Sequence, residues 1–194
     1  MRTAEITRET SETSIKLKLG IDGDGTRRIE TGLGFFDHML DLFAKHGLFD
    51  LTLSVKGDIN VDEHHTIEDT GIALGEAFAA AVGDKSGIAR YSTQFLPMDE
   101  ALAFASVDFS GRPFLQYGVS CPDETVGGLS SQVFEEFFRA FAMSAKVTLH
   151  IGLLYGSNSH HIIEAVFKAV ARALRFALES DTRVKGIPST KGVL

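Results

Sequence analysis

Two short segments of the sequence carry the same set of residues that can bind a metal ion. Residues 64–68 read His-His-Thr-Ile-Glu, and residues 160–164 read His-His-Ile-Ile-Glu. On a helix, the glutamate lies three residues from the second histidine and four from the first, so all three side chains can reach one end of the helix. Adjacent helical side chains nevertheless point about 100° apart. Each histidine pair therefore favours two ions, or one ion and a substrate, over a single chelated ion.

Another pair of candidate ligands lies upstream of the two segments. Residues 36–44 align with residues 134–142, which places Glu136 at the position of His38. The combined set has imidazoles and carboxylates but no thiolate, a composition that suits manganese, iron, zinc or nickel. The predicted metal ligands are His38, His64, His65, Glu68, Glu136, His160, His161 and Glu164. His46 and His150 have no partner in the repeat and are predicted to be structural or exposed.

The same motif also has a purely structural explanation. Histidines at the start of a helix can be ordinary surface residues, and a glutamate there interacts favourably with the helix dipole. Duplication of the motif favours metal binding instead. So does Asp62-Glu63 directly before the first pair, because such a concentration of negative charge is costly without a cation.

The carboxyl-terminal segment has the composition of an anion site. Ser189, Thr190 and Lys191 supply two hydroxyls and an ammonium beside a glycine, which is typical of a phosphate cradle. Further candidate cations are Arg90, Arg112 and Lys168. The two arginines stand beside turns and have a plain alternative as surface salt-bridge partners. Lys168 follows Glu164 by one helical turn, which predicts a cation close to the metals.

The elements that carry these residues occur twice along the chain. Alternating apolar and polar residues predict strands at Thr3–Glu9, Thr13–Ile21, Arg27–Glu30, Leu51–Val55, Arg90–Phe95, Ala101–Phe109, Pro113–Val119 and Val147–Ile151. Helical spacing predicts helices at Phe36–His46, His64–Val82, Ser130–Ser144 and His160–Leu178. The prediction is an α+β fold made by internal duplication, each half a small mixed sheet with two helices on one face. Residues 1–86 form the first half, and residues 87–194 form the second half with the phosphate-binding tail.

Composition excludes several classes of protein. The 194 residues have a formal net charge of −7, which argues against a nucleic-acid partner. Cys121 is the single cysteine and suits a reducing compartment. No stretch approaches the roughly 20 apolar residues of a membrane span, and the first residues have no apolar run typical of a signal peptide. A cytoplasmic protein that binds neither membranes nor nucleic acids is therefore expected.

Several motifs together resemble the imidazoleglycerol-phosphate dehydratase family of histidine biosynthesis over essentially the whole chain. They are Glu12-Thr13, Gly34–Met39, Asp62–Asp69, Gly111–Pro113, His160–Ala165 with Phe167–Ala169, and Pro188–Gly192. The resemblance implies two half-domains like the second domain of a small ribosomal protein. It implies two Mn²⁺ ions per active site, with other divalent metals as alternatives. It also implies a shell of 24 subunits with active sites between subunits. Glu136 departs from the family, in which many members have histidine there. The chain has no room for the phosphatase domain of bifunctional relatives, so a monofunctional enzyme is expected.

The implied reaction is loss of water from D-erythro-imidazole-glycerol phosphate to give imidazole-acetol phosphate. The C–H proton that must leave is not acidic, and cations on both ring nitrogens would turn the ring into an electron sink. The candidates for proton transfer are Glu12, Glu68 and Glu164, with Glu12 the first choice on family resemblance. The phosphate is expected to bind Arg90, Arg112, Lys168, Ser189, Thr190 and Lys191. Two other classes stay open: a binuclear metallohydrolase, and a metal-storage or shell protein without enzymatic activity.

Overall fold

The computed structural model describes residues 1–192 and residue 194. The first half contains strands β1 (Thr3–Glu9), β2 (Thr13–Gly20) and β3 (Arg27–Glu30), helix α1 (Gly34–Gly47), strand β4 (Asp50–Gly57) and helix α2 (His64–Val82). The second half contains strands β5 (Tyr91–Met98), β6 (Ala101–Asp108) and β7 (Phe114–Gly118), the short strands β8 (Thr125–Val126) and β9 (Leu129–Ser130), helix α3 (Val133–Ala145), strand β10 (Thr148–Tyr155) and helix α4 (Ser159–Leu178).

The two halves have the same sheet topology. The strand order β1-β2-β4-β3 in one sheet corresponds to β5-β6-β10-β7 in the other. Strand β3 runs parallel to β4 in the first sheet, and β7 runs parallel to β10 in the second. The other neighbouring strands of both sheets are antiparallel. A mixed four-stranded sheet with two helices therefore occurs twice, which confirms the predicted duplicated α+β fold. The division between residues 86 and 87 stays a prediction, because one continuous core joins the halves.

The loop before the long helix is where the two halves differ in length. Residues 58–63 connect β4 to α2, whereas residues 156–158 connect β10 to α4. Strand β10 has a bulge between Leu153 and Tyr155, so the strand register places Gly156 at the position of Gly57 and Ser157 at that of Asp58. The second half therefore lacks a carboxylate that the first half holds beside its histidine pair.

The second half also contains two features that differ from the predicted elements. Strand β5 continues through Pro97 to Met98, beyond the predicted end at Phe95. It is an edge strand, where a proline that lacks an N–H group is tolerated. The hairpin of β8 and β9 was not predicted, and it moves the start of α3 from Ser130 to Val133.

The four helices form the inner layers and the two sheets lie outside them. Helix α2 packs against β1, β2 and α3, and helix α4 packs against β5, β6 and α1. Strand β2 buries Ile15, Leu17 and Leu19 towards the helices, as the alternation of the sequence predicts. No helix among the described residues is both long and apolar enough to cross a membrane.

The outer faces of the two sheets differ in chemistry. On the first sheet, the exposed side chains are mostly polar or charged, and Glu5 pairs with Lys18 at 2.9 Å. On the second sheet, Tyr91, Phe95 and Phe114 are 67%, 58% and 50% exposed. The outer face of the second sheet therefore exposes large aromatic side chains that the first sheet lacks.

Helices α2 and α3 approach closely at Gly71 and Gly75. A Cβ atom at Gly71 would lie 2.6 Å from the backbone oxygen of Phe137, and one at Gly75 would lie 2.6 Å from that of Phe141. These contacts leave no room for a side chain on this face of α2. The two glycines therefore set the distance between the helix that carries His64 and the helix that carries Glu136.

Substitution Gly71→Ala is expected to lower the thermal melting temperature. The added methyl group must push α3 away, at a cost of about 1–3 kcal/mol that exceeds the helical preference for alanine. For a chain of this size, each kcal/mol corresponds to a shift of roughly 2–4 °C. Gly34→Ala is the control, because a Cβ atom there meets nothing within 4 Å. Equal melting temperatures for Gly71→Ala and the unchanged protein would contradict the close approach.

Candidate metal centre

Each histidine pair occupies the first turn of a long helix. Helix α4 is capped by Asn158, whose side-chain oxygen accepts hydrogen bonds from the backbone N–H groups of His160 (2.9 Å) and His161 (3.2 Å). At the start of α2, Asp62 accepts a hydrogen bond from the backbone N–H of His64 at 2.9 Å. The Asn158 cap and the Asp62 contact therefore each satisfy backbone N–H groups at the helix end where a histidine pair lies.

The two rings of each pair are nearly perpendicular. The interplanar angle is 82° between His64 and His65 and 81° between His160 and His161, with ring centroids 6.2 Å apart in both pairs. The first histidine of each pair faces the glutamate four residues later, while the second faces a carboxylate from a loop or turn of its own half. The divergence expected from helix geometry is therefore present in both halves.

The first histidine of α4 belongs to the 160 cluster, which we define as His38, His160 and Glu164. Their ligand atoms all lie within 4.8 Å of one another, and no other group of three among the described residues does so. Glu164 Oε2 lies 3.7 Å from His38 Nε2 and 3.4 Å from His160 Nε2. Two imidazoles and one carboxylate at these separations can hold a divalent ion.

Lys168 neutralises the remaining side of this cluster. Its ammonium donates a hydrogen bond to the other oxygen of Glu164. Burial by itself would raise the pKa of Glu164, but the hydrogen bond and charge of Lys168, together with the nearby His38 and His160, outweigh burial and the pKa is lowered. Glu164 is therefore held as a carboxylate, the form that a metal ion needs.

The corresponding 64 cluster consists of His64, Glu68 and Glu136. Glu68 lies 3.4 Å from His64, and His64 and Glu136 line the same cleft. In this chain, Glu136 is 3.3 Å from Arg139. The cluster is therefore more open than the 160 cluster, although the two are built from matching positions.

The second histidine of the first pair is held by a carboxylate from the loop before α2. Asp58 lies 3.0 Å from Nδ1 of His65, and Glu12 lies 3.8 Å from the same atom. Asp58 raises the pKa of His65 by accepting a hydrogen bond from the ring. Because a carboxylate can only accept, the neutral form of the ring carries its proton on Nδ1, and its Nε2 can then bind a metal ion.

The second pair achieves the same orientation with a different carboxylate. Glu100, in the turn between β5 and β6, lies 2.7 Å from Nδ1 of His161. Its other oxygen accepts hydrogen bonds from the backbone N–H groups of Ser157 (3.1 Å) and Asn158 (2.8 Å). These contacts, led by the one with His161, lower the pKa of Glu100 to about 2. The pKa of His161 is raised in return.

Asp58 and Glu100 are functional candidates that the sequence analysis missed. Glu100 occupies the same turn position as Glu12, because both follow the first strand of their half. Aligning the two turns would have found it. A carboxylate on Nδ1 is the usual outer partner of a histidine that ligates metal through Nε2. We call His65 and His161 the outer histidines. Their suitability as metal ligands therefore rests on the position of these carboxylates as well as on residue type.

The predicted phosphate-binding residues are divided between two places in one chain. Lys168 lies at the 160 cluster, whereas Arg90 pairs with Asp108 at 2.8 Å and donates to the backbone oxygen of Pro188 at 2.7 Å. Arg90 precedes β5 and Glu100 follows it, so the eight residues of the strand separate them by about 26 Å. Arg90 anchors the tail that carries Ser189, Thr190 and Lys191, and Arg112 is exposed. A single chain does not bring these groups to its own metal cluster.

Two histidines lie apart from the clusters. His46 is half-buried on α1, and burial lowers its pKa. His150 is exposed on the outer face of the second sheet, where its ring centroid lies 5.8 Å from that of Phe114.

Replacing Glu100 with glutamine is expected to lower the pKa of His161 in protein stripped of metal. The carboxylate stabilises the imidazolium, so its removal favours the neutral ring. An NMR pH titration of the histidine ring protons measures the change. Asp58→Asn is the matched control, which is expected to lower the pKa of His65 and leave His161 unchanged. An unaltered His161 titration in Glu100→Gln would show that the turn does not hold this ring.

The chain is similar to known proteins over its whole length. Residues 31–174 match the family described as imidazoleglycerol-phosphate dehydratase. An imidazoleglycerol-phosphate dehydratase of Thermoanaerobacter pseudethanolicus is 60% identical over 194 residues, covering 100% of both chains. One from Gluconacetobacter diazotrophicus is 58% identical over 100% of this chain and 98% of its own.

Two solved structures also resemble the fold. The imidazoleglycerol-phosphate dehydratase of Staphylococcus aureus matches with a TM-score of 0.84 and 40% identity, over 92% of this chain and 99% of that one. The enzyme of Pyrococcus furiosus matches with a TM-score of 0.85 and 36% identity, over 97% of this chain and 100% of that one. The chain therefore belongs to the imidazoleglycerol-phosphate dehydratase family.

Proposed function

We propose that this chain converts D-erythro-imidazole-glycerol phosphate to imidazole-acetol phosphate and water at a centre of two Mn²⁺ ions. Family membership makes the chain a hydro-lyase of histidine biosynthesis. The metal centre and the roles of individual residues are the proposal. One observation, made in both halves, carries the proposal. The first histidine of each pair lies beside a glutamate, and the second is oriented by a carboxylate at its Nδ1.

Both histidines of each pair are proposed to be metal ligands, together with His38 and the nearby glutamates. The proposed ligands are His38, His64, His65, Glu68, Glu136, His160, His161 and Glu164. When bound, the ions would supply Lewis acidity that stabilises negative charge on the substrate imidazole. Imidazole and carboxylate ligands without thiolate suit Mn²⁺.

Glu12 is proposed to transfer the proton. In the product, the ketone lies on the carbon next to the ring-bearing carbon. The C–H proton therefore leaves from that carbon, while the hydroxyl on the ring-bearing carbon leaves as water. Glu12 is exposed, and its nearest ionic partner is His65 at 3.8 Å. The corresponding Glu100 is tied to His161 and two backbone N–H groups. Asp58 orients His65 and so leaves Glu12 available for substrate.

Glu68 and Glu164 are also proton-transfer candidates, but their positions favour the ligand role. Each lies 3.4 Å from the first histidine of its pair. Glu164 is in addition buried and bound by Lys168. A buried carboxylate with these partners is held ionised, which suits a metal ligand better than a group that must gain and lose a proton.

The phosphate is proposed to bind between subunits. Lys168 lies at the 160 cluster, whereas the remaining candidates, Arg90, Arg112, Ser189, Thr190 and Lys191, lie about one strand length away in the same chain. A second chain that presents its tail to the cluster of the first would unite the set. Binding the phosphate there would fix the glycerol chain relative to the metals.

Assembly into a shell of 24 subunits is supported by two features of the single chain. Among the described residues, the two outer histidines do not join the group of three ligand atoms in the 160 cluster, so neighbouring chains are the natural source of further ligands. The exposed aromatic residues of the second sheet offer a surface for the contact. Burial of such a surface stabilises association by roughly 25 cal/mol for each Å² of apolar area.

Removal of metal is expected to abolish dehydration, and added Mn²⁺ to restore it. Chelation followed by an assay of product formation, with elemental analysis of the same sample, tests the function. Glu12→Gln is the control, which is expected to keep its metal and lose turnover. Full turnover by protein shown to be free of metal would contradict the proposed centre, and incorporation of solvent water into the product would indicate a hydrolase.

Phe95→Glu is expected to reduce the mass of the assembly in excess Mn²⁺. A charge on the apolar outer face must be buried without a partner if the contact forms there, which costs several kcal/mol. Light scattering measures the mass. Thr7→Glu is the matched control, because Thr7 holds the corresponding exposed position on the first sheet. An unchanged mass for Phe95→Glu would exclude this face as the contact.

A further inference from the structure

A buried ionic network lies beside the histidine pair of the first half. Asp69 follows Glu68 on α2, and its side chain is 11% exposed. One of its oxygens accepts hydrogen bonds from Arg8 at 3.1 Å (Nε) and 2.8 Å (Nη2), and the other accepts one from the hydroxyl of Thr13. We call these three residues the Asp69 network. It joins the helix of the metal ligands to strands β1 and β2.

The network ends at the turn that carries Glu12. Thr13 is the next residue in the chain, and the hydroxyl of Thr10 accepts hydrogen bonds from the backbone N–H groups of Glu12 (3.1 Å) and Thr13 (2.9 Å). The backbone oxygen of Glu12 accepts a further one from Asp58 at 3.1 Å. The backbone of Glu12 is thus fixed from both sides, although its side chain is exposed.

The second half shows that the fold does not need this network. Its corresponding hairpin has the same strand pairing, and its long helix also packs on both strands of the hairpin. The residues at the corresponding positions are Leu96, Ala101 and Ala165. All three are apolar, and the turn carboxylate there is held directly by His161 and two backbone N–H groups. The network is present in the half whose turn carboxylate lacks those direct contacts.

We infer that Asp69 is a positioning residue that, through Arg8 and Thr13, holds the turn of Glu12 at a fixed distance from His65. The inference rests on the proposed role of Glu12 in proton transfer. Buried carboxylates with charged partners are costly to desolvate, and an apolar set of similar shape is often as stable. The second half uses such an apolar set. The first half keeps the buried ionic network, despite its desolvation cost, because the free carboxylate of Glu12 must be held at an accurate position.

The test compares Asp69→Ala with a triple variant that copies the second half, Arg8→Leu, Thr13→Ala and Asp69→Ala. In Asp69→Ala, kcat is expected to fall about 10- to 100-fold with KM and metal content nearly unchanged, because a displacement of about 1 Å is enough for such a loss. The triple variant removes the unpaired polar groups, so it is expected to recover melting temperature while kcat stays low. Asp22→Ala breaks a comparable pair with Arg2 at the far end of β1 and is the control.

Two outcomes would overturn the inference. One is an unchanged kcat in Asp69→Ala. The other is recovery of kcat together with melting temperature in the triple variant, which would show that the network only stabilises the hairpin. If Asp69→Ala does not fold, the triple variant still decides between these roles. Glu12→Gln is expected to lower kcat by a smaller factor in the triple variant than in the unchanged protein, because part of the contribution of Glu12 is already lost there. Full turnover by Glu12→Gln alone would instead contradict the proposed role of Glu12, whatever the network does.

Discussion

Adjacent side chains on a helix cannot point in the same direction, and this constraint organises the candidate metal centre. Both long helices begin with two histidines, and in both the rings are nearly perpendicular. One ring of each pair joins a glutamate one helical turn later. The other faces the sheet and needs a separate carboxylate to orient it. Packing of helix α1 on α4 brings His38 to the first ring of the second pair, and a hairpin turn brings Glu100 to the second ring.

Duplication supplied two equivalent scaffolds, and small changes between them give the halves different chemistry. Where the first half has Asp58, the second has Ser157, and Glu100 orients the second histidine instead. That change leaves Glu12, the counterpart of Glu100, without a fixed partner in the first half. A carboxylate that is free and yet held at a defined place can exchange a proton with a substrate, whereas one bound by an imidazole and two N–H groups cannot do so readily.

The repeat, the sheet and helix pattern and the proximity of Glu164 to His160 could be predicted, because they follow from periodicity and from spacing along a helix. The contact of His38 with these two residues depends on the packing of α1 on α4, which spacing does not show. Glu100 lies 61 residues from its partner His161, so only an alignment of the two hairpin turns could have indicated it. The short hairpin at residues 125–130 is too brief to give a periodic signal. Arg90 and Lys168 are both cationic, so the sequence assigns them the same phosphate site. Only the tertiary structure shows that they lie far apart in one chain.

The central claim is that neighbouring histidines serve different ions in sites shared between chains. The most direct measurement is the activity of mixed assemblies of His160→Ala and His161→Ala chains, co-expressed with different tags and purified through both. Each variant alone is expected to be inactive. The mixture is expected to regain turnover and metal, because some sites then combine an intact His160 from one chain with an intact His161 from another. A mixture no more active than its separate components would show that both histidines act in the same site of one chain and would contradict the account.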